Sequence, residues 1–166
     1  MTLSRRVLLL GLALGLSGCG SSKFLDYEGP EVTRIVVFKG ERRMYLMNED
    51  RVLRGFDIDL GFAPQGHKQV EGDGKTPEGR YRIDRRNPNS SFHLSLGISY
   101  PNTADVARAR AMGQSPGGNI FIHGQPNLLG PQTEENWTAG CIAVTNAEME
   151  EIYAMVEDGT VIDIYP

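Results

Sequence analysis

Cysteine is scarce in this chain. Two occur in 166 residues, Cys19 and Cys141, so no disulfide framework holds the fold together. There is no Cys-x-x-Cys pair and no resolving thiol for Cys141, which argues against a thiol redox protein. Histidine is nearly as rare: His67, His93 and His123 are the whole complement. None stands at a metal-ligand spacing, so neither metal nor cofactor is expected. Positive charge is in deficit, with 17 basic against 21 acidic residues, the wrong balance for a nucleic-acid partner. No internal repeat occurs, and the apolar run Val7–Leu16 is too short to cross a bilayer comfortably.

That run sits where an export signal sits. Arg5 and Arg6 form a basic start, and small residues precede a cysteine in Leu16-Ser17-Gly18-Cys19. The latter resembles a bacterial lipobox, which implies that residues 1–18 are a signal peptide and that Cys19 becomes the lipidated first residue. Arg5 and Arg6 leave with the signal, so 15 basic and 21 acidic residues remain, a balance of −6. Residues 19–31, polar and carrying Gly, Ser and Pro, read as a flexible tether reaching about 40 Å if extended. By analogy with Gram-negative lipoproteins, Gly20 and Ser21 after Cys19 imply an outer-membrane anchor facing the periplasm. A domain is expected over residues 32–166.

Strand signals dominate that domain. "TRIVVF" and "RMYLM" flank Lys39-Gly40-Glu41 as a hairpin, and "VLRGFDIDL" and "RYRID" follow as strands around a Gly- and Pro-rich loop. In "SFHLSLGIS", Phe92, Leu94, Leu96 and Ile98 alternate with Ser91, His93, Ser95 and Ser99, the period of a half-buried strand. "NTADVARARAMG" reads as a short helix. Thr145 three residues before Glu148 forms a capping box, and Met149, Ile152, Tyr153 and Val156 then share a helical face. The fold class is mainly β with one or two packed helices.

An exported protein with one leftover cysteine points to intermolecular pairing, a buried structural thiol or a reactive thiol. His123, in "FIHG", lies 18 positions before Cys141, and the segment between reads as a loop. Two strand ends joined this way can return histidine and cysteine to one cleft. The pairing has a chemical reason: a thiol is mostly protonated at neutral pH and needs a base to become a nucleophile. The histidine in turn needs a group to fix its tautomer, for which the Gly124 carbonyl or another nearby backbone oxygen is the candidate. Acyl transfer needs donors for an oxyanion, for which the amides at Gly140 and Cys141 are the candidates. The basic cluster Arg80, Arg82, Arg85 and Arg86 reads mainly as a solvated strand face.

The ordered set His123-Gly124, loop, Thr138-Ala139-Gly140-Cys141-Ile142 resembles the YkuD-type L,D-transpeptidase catalytic domain, with Thr76, Pro77 and Gly79 similar to another of its motifs. The resemblance runs from about Val32 to Pro166. It implies a β-sandwich-like mixed-strand fold in which Cys141 attacks the L-centre carbonyl of diaminopimelate in a peptidoglycan stem peptide and expels D-alanine. Ala143 stands where the family usually has Arg, and Ala139 where it often has His or Asn. "GCIAVTN" instead looks like a Gly-Cys-x-Ala branch that includes hydrolytic members, some of which detach lipoprotein from peptidoglycan. A carboxypeptidase or amidase is therefore the alternative reading, and a non-catalytic peptidoglycan-binding lipoprotein the third. Trp137 and Thr138 are expected in the cleft, Trp137 as substrate platform or loop anchor. His93 is expected to be exposed or on the cleft wall rather than a second base, and His67 at the surface.

Overall fold

In the computed structural model, which describes residues 22–166, the expected hairpin is β1 (Arg34–Phe38) and β2 (Arg43–Asn48). Val36 lies opposite Tyr45 in antiparallel register. β3 (Arg51–Asp57) continues the meander and is mostly exposed; Arg51 and Arg54 lie on this edge strand, where charge discourages edge-to-edge pairing. The closing strand β8 (Val161–Tyr165) inserts beside β1 in parallel, with Ile35 opposite Ile162. β4 (Gly79–Asn87) serves two neighbours: Gly79–Arg82 pairs with β8, and the part beyond pairs with β5 (Ser95–Ile98). β6 (Phe121–His123) and the two-residue β7 (Ile142–Ala143) complete an eight-stranded mixed sheet of order β3-β2-β1-β8-β4-β5-β6-β7.

The sheet curls back on itself. Asp59, just past β3, exchanges two backbone hydrogen bonds of 2.9 Å with Ala143 of β7, so the chain leaving one edge meets the other. Inside the curl lies one core containing Ile35, Leu46, Leu60, Leu96, Ile122 and Ile162. Helix α1 (Thr103–Ala111) is capped by Asn102 with Asp105 at the third position. Helix α2 (Asn146–Met155) starts from the expected Thr145–Glu148 capping box. Met149, Ile152, Tyr153 and Val156 are all buried, each worth about 1.5–3 kcal/mol relative to exposure. Among the described residues no helix is long and apolar enough to cross a membrane.

Two stretches differ from expectation. The strand read over Ser91–Ser99 forms only at Ser95–Ile98, where all four residues are buried. His93 turns the chain at φ 69, which breaks the alternation and releases Phe92 from the core face. Residues 22–31 form no helix or strand, yet they lie along the domain. Lys23 Nζ donates to the carbonyls of Pro88 (2.7 Å) and His93 (3.2 Å), the Phe24 ring lies 6.2 Å from that of Tyr153, and Tyr27 packs against the core. The signal peptide and Cys19 lie outside the described residues.

Candidate active site

The parallel pairing of β6 with β7 brings the two chemical residues together. Ile122 stands opposite Ile142 and His123 opposite Ala143, so Cys141, which immediately precedes β7, arrives beside β6. Cys141 and His123 line the same two clefts. One, of about 890 Å³, is largely apolar and includes Phe92, Trp137, Leu128 and Leu129. The other, of about 270 Å³, is more polar and includes Ser91, Ser95, Asn87 and Asn119.

His123 is buried, and its Nδ1 lies 2.7 Å from the Gly124 carbonyl oxygen. A carbonyl only accepts, so Nδ1 carries the proton and Nε2 keeps its lone pair. This is the role expected of Gly124. The ring sits against Phe92 (4.5 Å between centroids) and Trp137 (5.5 Å), which fix its plane. Burial pushes His123 below the ordinary imidazole range, with the Gly124 carbonyl opposing. Burial also pushes the half-buried Cys141 thiol up, with the Phe121 backbone and the Lys68 charge pulling it back. The Cys141 Sγ lies 3.6 Å from the Asn119 carbonyl oxygen. Both shifts favour a resting pair of neutral thiol and neutral imidazole.

The turn carrying the thiol is tied internally. Thr138 Oγ1 donates to the Cys141 carbonyl (2.8 Å) and accepts from the Gly140 amide (3.1 Å). The Gly140 amide is thereby committed, which corrects its expected role as an oxyanion donor. Among the described residues the Cys141 amide has no hydrogen-bond partner and is the donor left for that task. Gly140 takes φ 128, and a Cβ there would lie 2.6 Å from the Lys75 carbonyl oxygen. Only glycine suits that backbone and that approach.

Trp137 lines the apolar cleft, and its Nε1 donates to Asp59 Oδ2 at 3.2 Å, an anchor for its loop. His93 does not line either cleft at Cys141. Its Nε2 lies 2.7 Å from Glu150 Oε1 on α2, because the turn at His93 points the ring toward that helix. His67 is not a free surface residue; it contacts Asp105 Oδ1 (3.1 Å) and accepts from the Glu78 amide at Nδ1 (2.9 Å). The four arginines of β4 do not converge. Arg80 pairs with Asp163, Arg82 with the Gly159 carbonyl, Arg85 with Asp84 and Arg86 with carbonyls at the end of α2. Sequence reasoning missed two supports of His123. Phe92 was hidden in an apparent strand face. Asn146, the first residue of α2, accepts from the Gln125 amide at 2.7 Å and pins the chain after Gly124.

Comparison with known proteins places this geometry in context. A family model described as the L,D-transpeptidase catalytic domain, YkuD, matches residues 32–164. The candidate L,D-transpeptidase YafK of Escherichia coli is 32% identical over 145 residues, covering 80% of this chain and 53% of YafK. The helical cell shape determining protein Pgp2 of Campylobacter jejuni superposes with a TM-score of 0.61 at 29% identity, covering 85% of this chain and 50% of Pgp2. L,D-transpeptidase 1 of Mycobacterium tuberculosis gives 0.53 at 14% identity, over 82% of this chain and 62% of that one, a likeness of fold. The chain thus spans about half the length of YafK and of Pgp2.

Proposed function

The chain belongs to the family of L,D-transpeptidase catalytic domains, and on that premise we propose that it performs cysteine-dependent acyl transfer on peptidoglycan stem peptides. The observation that carries this reading is His123 held with Nε2 as the free base, in the clefts that Cys141 also lines. In the proposed reaction Nε2 takes the Cys141 proton as the sulfur attacks the L-centre carbonyl of diaminopimelate. The Cys141 amide faces the developing oxyanion. Collapse expels D-alanine, whose amine takes the proton from Nε2, and leaves a thioester. An amine or water then attacks, returns a proton through Nε2 and frees the thiol.

Hydrolysis is the second reading, favoured by Ala143. Its backbone is engaged with Asp59, and its side chain offers no cation where the family usually has Arg. Incubation with defined muropeptides distinguishes the outcomes by mass: a crosslinked product, or a stem shortened by one residue. Intact-protein mass should show an adduct on Cys141 that the Cys141→Ala protein lacks. A full-activity Cys141→Ala protein would end the acyl-enzyme reading, and absence of any turnover would favour a binding role. We also propose that Cys19 carries lipid and anchors the domain to the outer membrane facing the periplasm. The support is the lipobox-like Leu16–Cys19 alone.

A further inference from the structure

The loop whose Lys75 carbonyl packs against Gly140 also holds a buried cation that the reaction as described does not use. Lys68 is almost fully buried; its Nζ donates to the Val70 carbonyl (2.9 Å) and to Asp73 Oδ1 (2.9 Å) and lies 6.0 Å from the Tyr100 ring centroid. Burying an ammonium is costly unless it is paired and hydrogen-bonded, so this placement calls for a reason. Asp73 is bonded at both oxygens. Besides Lys68 it accepts from the amides of Gln69 (2.7 Å), Val70 (3.1 Å) and Lys75 (3.1 Å). The Lys75 carbonyl in turn is the group that crowds Gly140, and Gly61 of the same loop region packs against the Gly140 backbone so closely that no Cβ fits. A continuous path of contacts therefore runs from Lys68 through Asp73 and Lys75 to the residue before Cys141.

We propose that Lys68 and Asp73 are positioning residues for the nucleophile: Asp73 fixes the loop that packs against the Thr138–Cys141 turn, and the Lys68 ammonium supplies a positive field that favours negative charge at Cys141. This rests on Cys141 being the nucleophile. It answers a difficulty of the site. Burial opposes a charge on Cys141 and on His123 alike, so the transition state needs a fixed positive charge that is already in place. Lys68 acts in that direction on the thiol. Burial pushes the Asp73 carboxyl up, but its amide donors and Lys68 outweigh this and hold it below the usual carboxylate range, so the carboxylate stays ionised at neutral pH. Among the other charged groups, the Arg85 guanidinium lies 4.5 Å from the Phe121 ring centroid on β6 and pairs with Asp84. His123 lines the same two clefts as Cys141, and Asp59 is bonded to Trp137. The Lys75 ammonium is turned toward Gly66, 3.4 Å from where a Cβ there would lie.

The test reads Cys141 directly, by iodoacetamide alkylation of the full chain across pH, in Lys68→Met and Asp73→Asn proteins. With the cation gone, Lys68→Met should move the midpoint up and slow alkylation at neutral pH about tenfold. Asp73→Asn keeps the cation and removes its counter-charge, so the midpoint should move down, while muropeptide turnover falls because the loop loosens. Opposite shifts are a charge signature that mere destabilisation does not produce. An unchanged midpoint in Lys68→Met, or upward shifts in both proteins, overturns the proposal. Should Lys68→Met fail to fold, an unchanged or raised midpoint in Asp73→Asn overturns it alone. Alkylation needs no peptidoglycan, so wild-type protein with the expected profile but no muropeptide turnover would sink the proposed function and leave this inference standing.

Discussion

At the scale of single residues, the pH range of the proposed reaction follows from the burial of His123 and Cys141. Nε2 must be unprotonated to act as base, and burial moves His123 below its ordinary value of 6.5. Acylation rate should therefore hold at neutral pH and fall only as pH drops through that lowered value. Cys141 lies above its ordinary 9.0, so the alkaline change belongs beyond that point. Single-turnover acylation measured against pH checks both signs; an acid limb above 6.5 would contradict the neutral pair. His123→Ala should lose about 10²–10⁴-fold in acylation with a much smaller change in binding. His93→Ala should be near wild type in rate, because its ring pairs with Glu150 and lies outside the clefts. The sequence pointed to His123 by its place in "FIHG" and by the turn motif after it. It misplaced His93 because a period of two in "SFHLSLGIS" says nothing about a φ of 69 in its middle.

At the scale of elements, the legible parts are those whose cause is local. α2 carries its start and its apolar face in consecutive residues and begins as read at the Thr145 cap, ending at Met155. Removing the cap by Thr145→Ala should lower stability by about 1 kcal/mol, seen as a lower melting temperature with the cleft chemistry retained. The nucleophile turn is different, since its glycine answers to a distant carbonyl. Gly140→Ala meets both an unsuitable φ of 128 and the Lys75 oxygen, backbone that cannot swing aside. Strain of this kind costs roughly 1–3 kcal/mol, so the variant should melt earlier and lose turnover. Thr138→Val removes the hydroxyl that bridges the Gly140 amide and the Cys141 carbonyl, whereas Thr138→Ser keeps it. Turnover should collapse in the first and recover substantially in the second. Equal turnover in the two variants would show that the bridge is dispensable.

At the scale of the whole molecule, what the sequence withheld is long-range pairing. Nothing local to "TVIDIYP" says that it inserts between β1 and β4, or that Asp59 closes the curl onto Ala143. The same holds for the N-terminal stretch, whose polar composition reads as tether although three of its side chains find partners across the domain. Lys23 clamps the carbonyls of Pro88 and His93, on the turn that also carries Phe92. The Phe92 carbonyl accepts from the Gly124 amide at 3.1 Å, and the Phe92 ring lies on His123. The stretch thus reaches His123 through one turn. Deleting residues 20–31 should lower the melting temperature and slow acylation, and Lys23→Ala should reproduce part of both, at about 1 kcal/mol for lost hydrogen bonds to an ammonium. Cys19→Ala should do neither: it should release the protein from the membrane with its melting temperature and acylation rate intact. Melting curves, single-turnover acylation and membrane fractionation of the three variants separate strap from anchor. A deletion that melts and reacts like the parent would reduce residues 22–31 to the passive tether that their composition suggests.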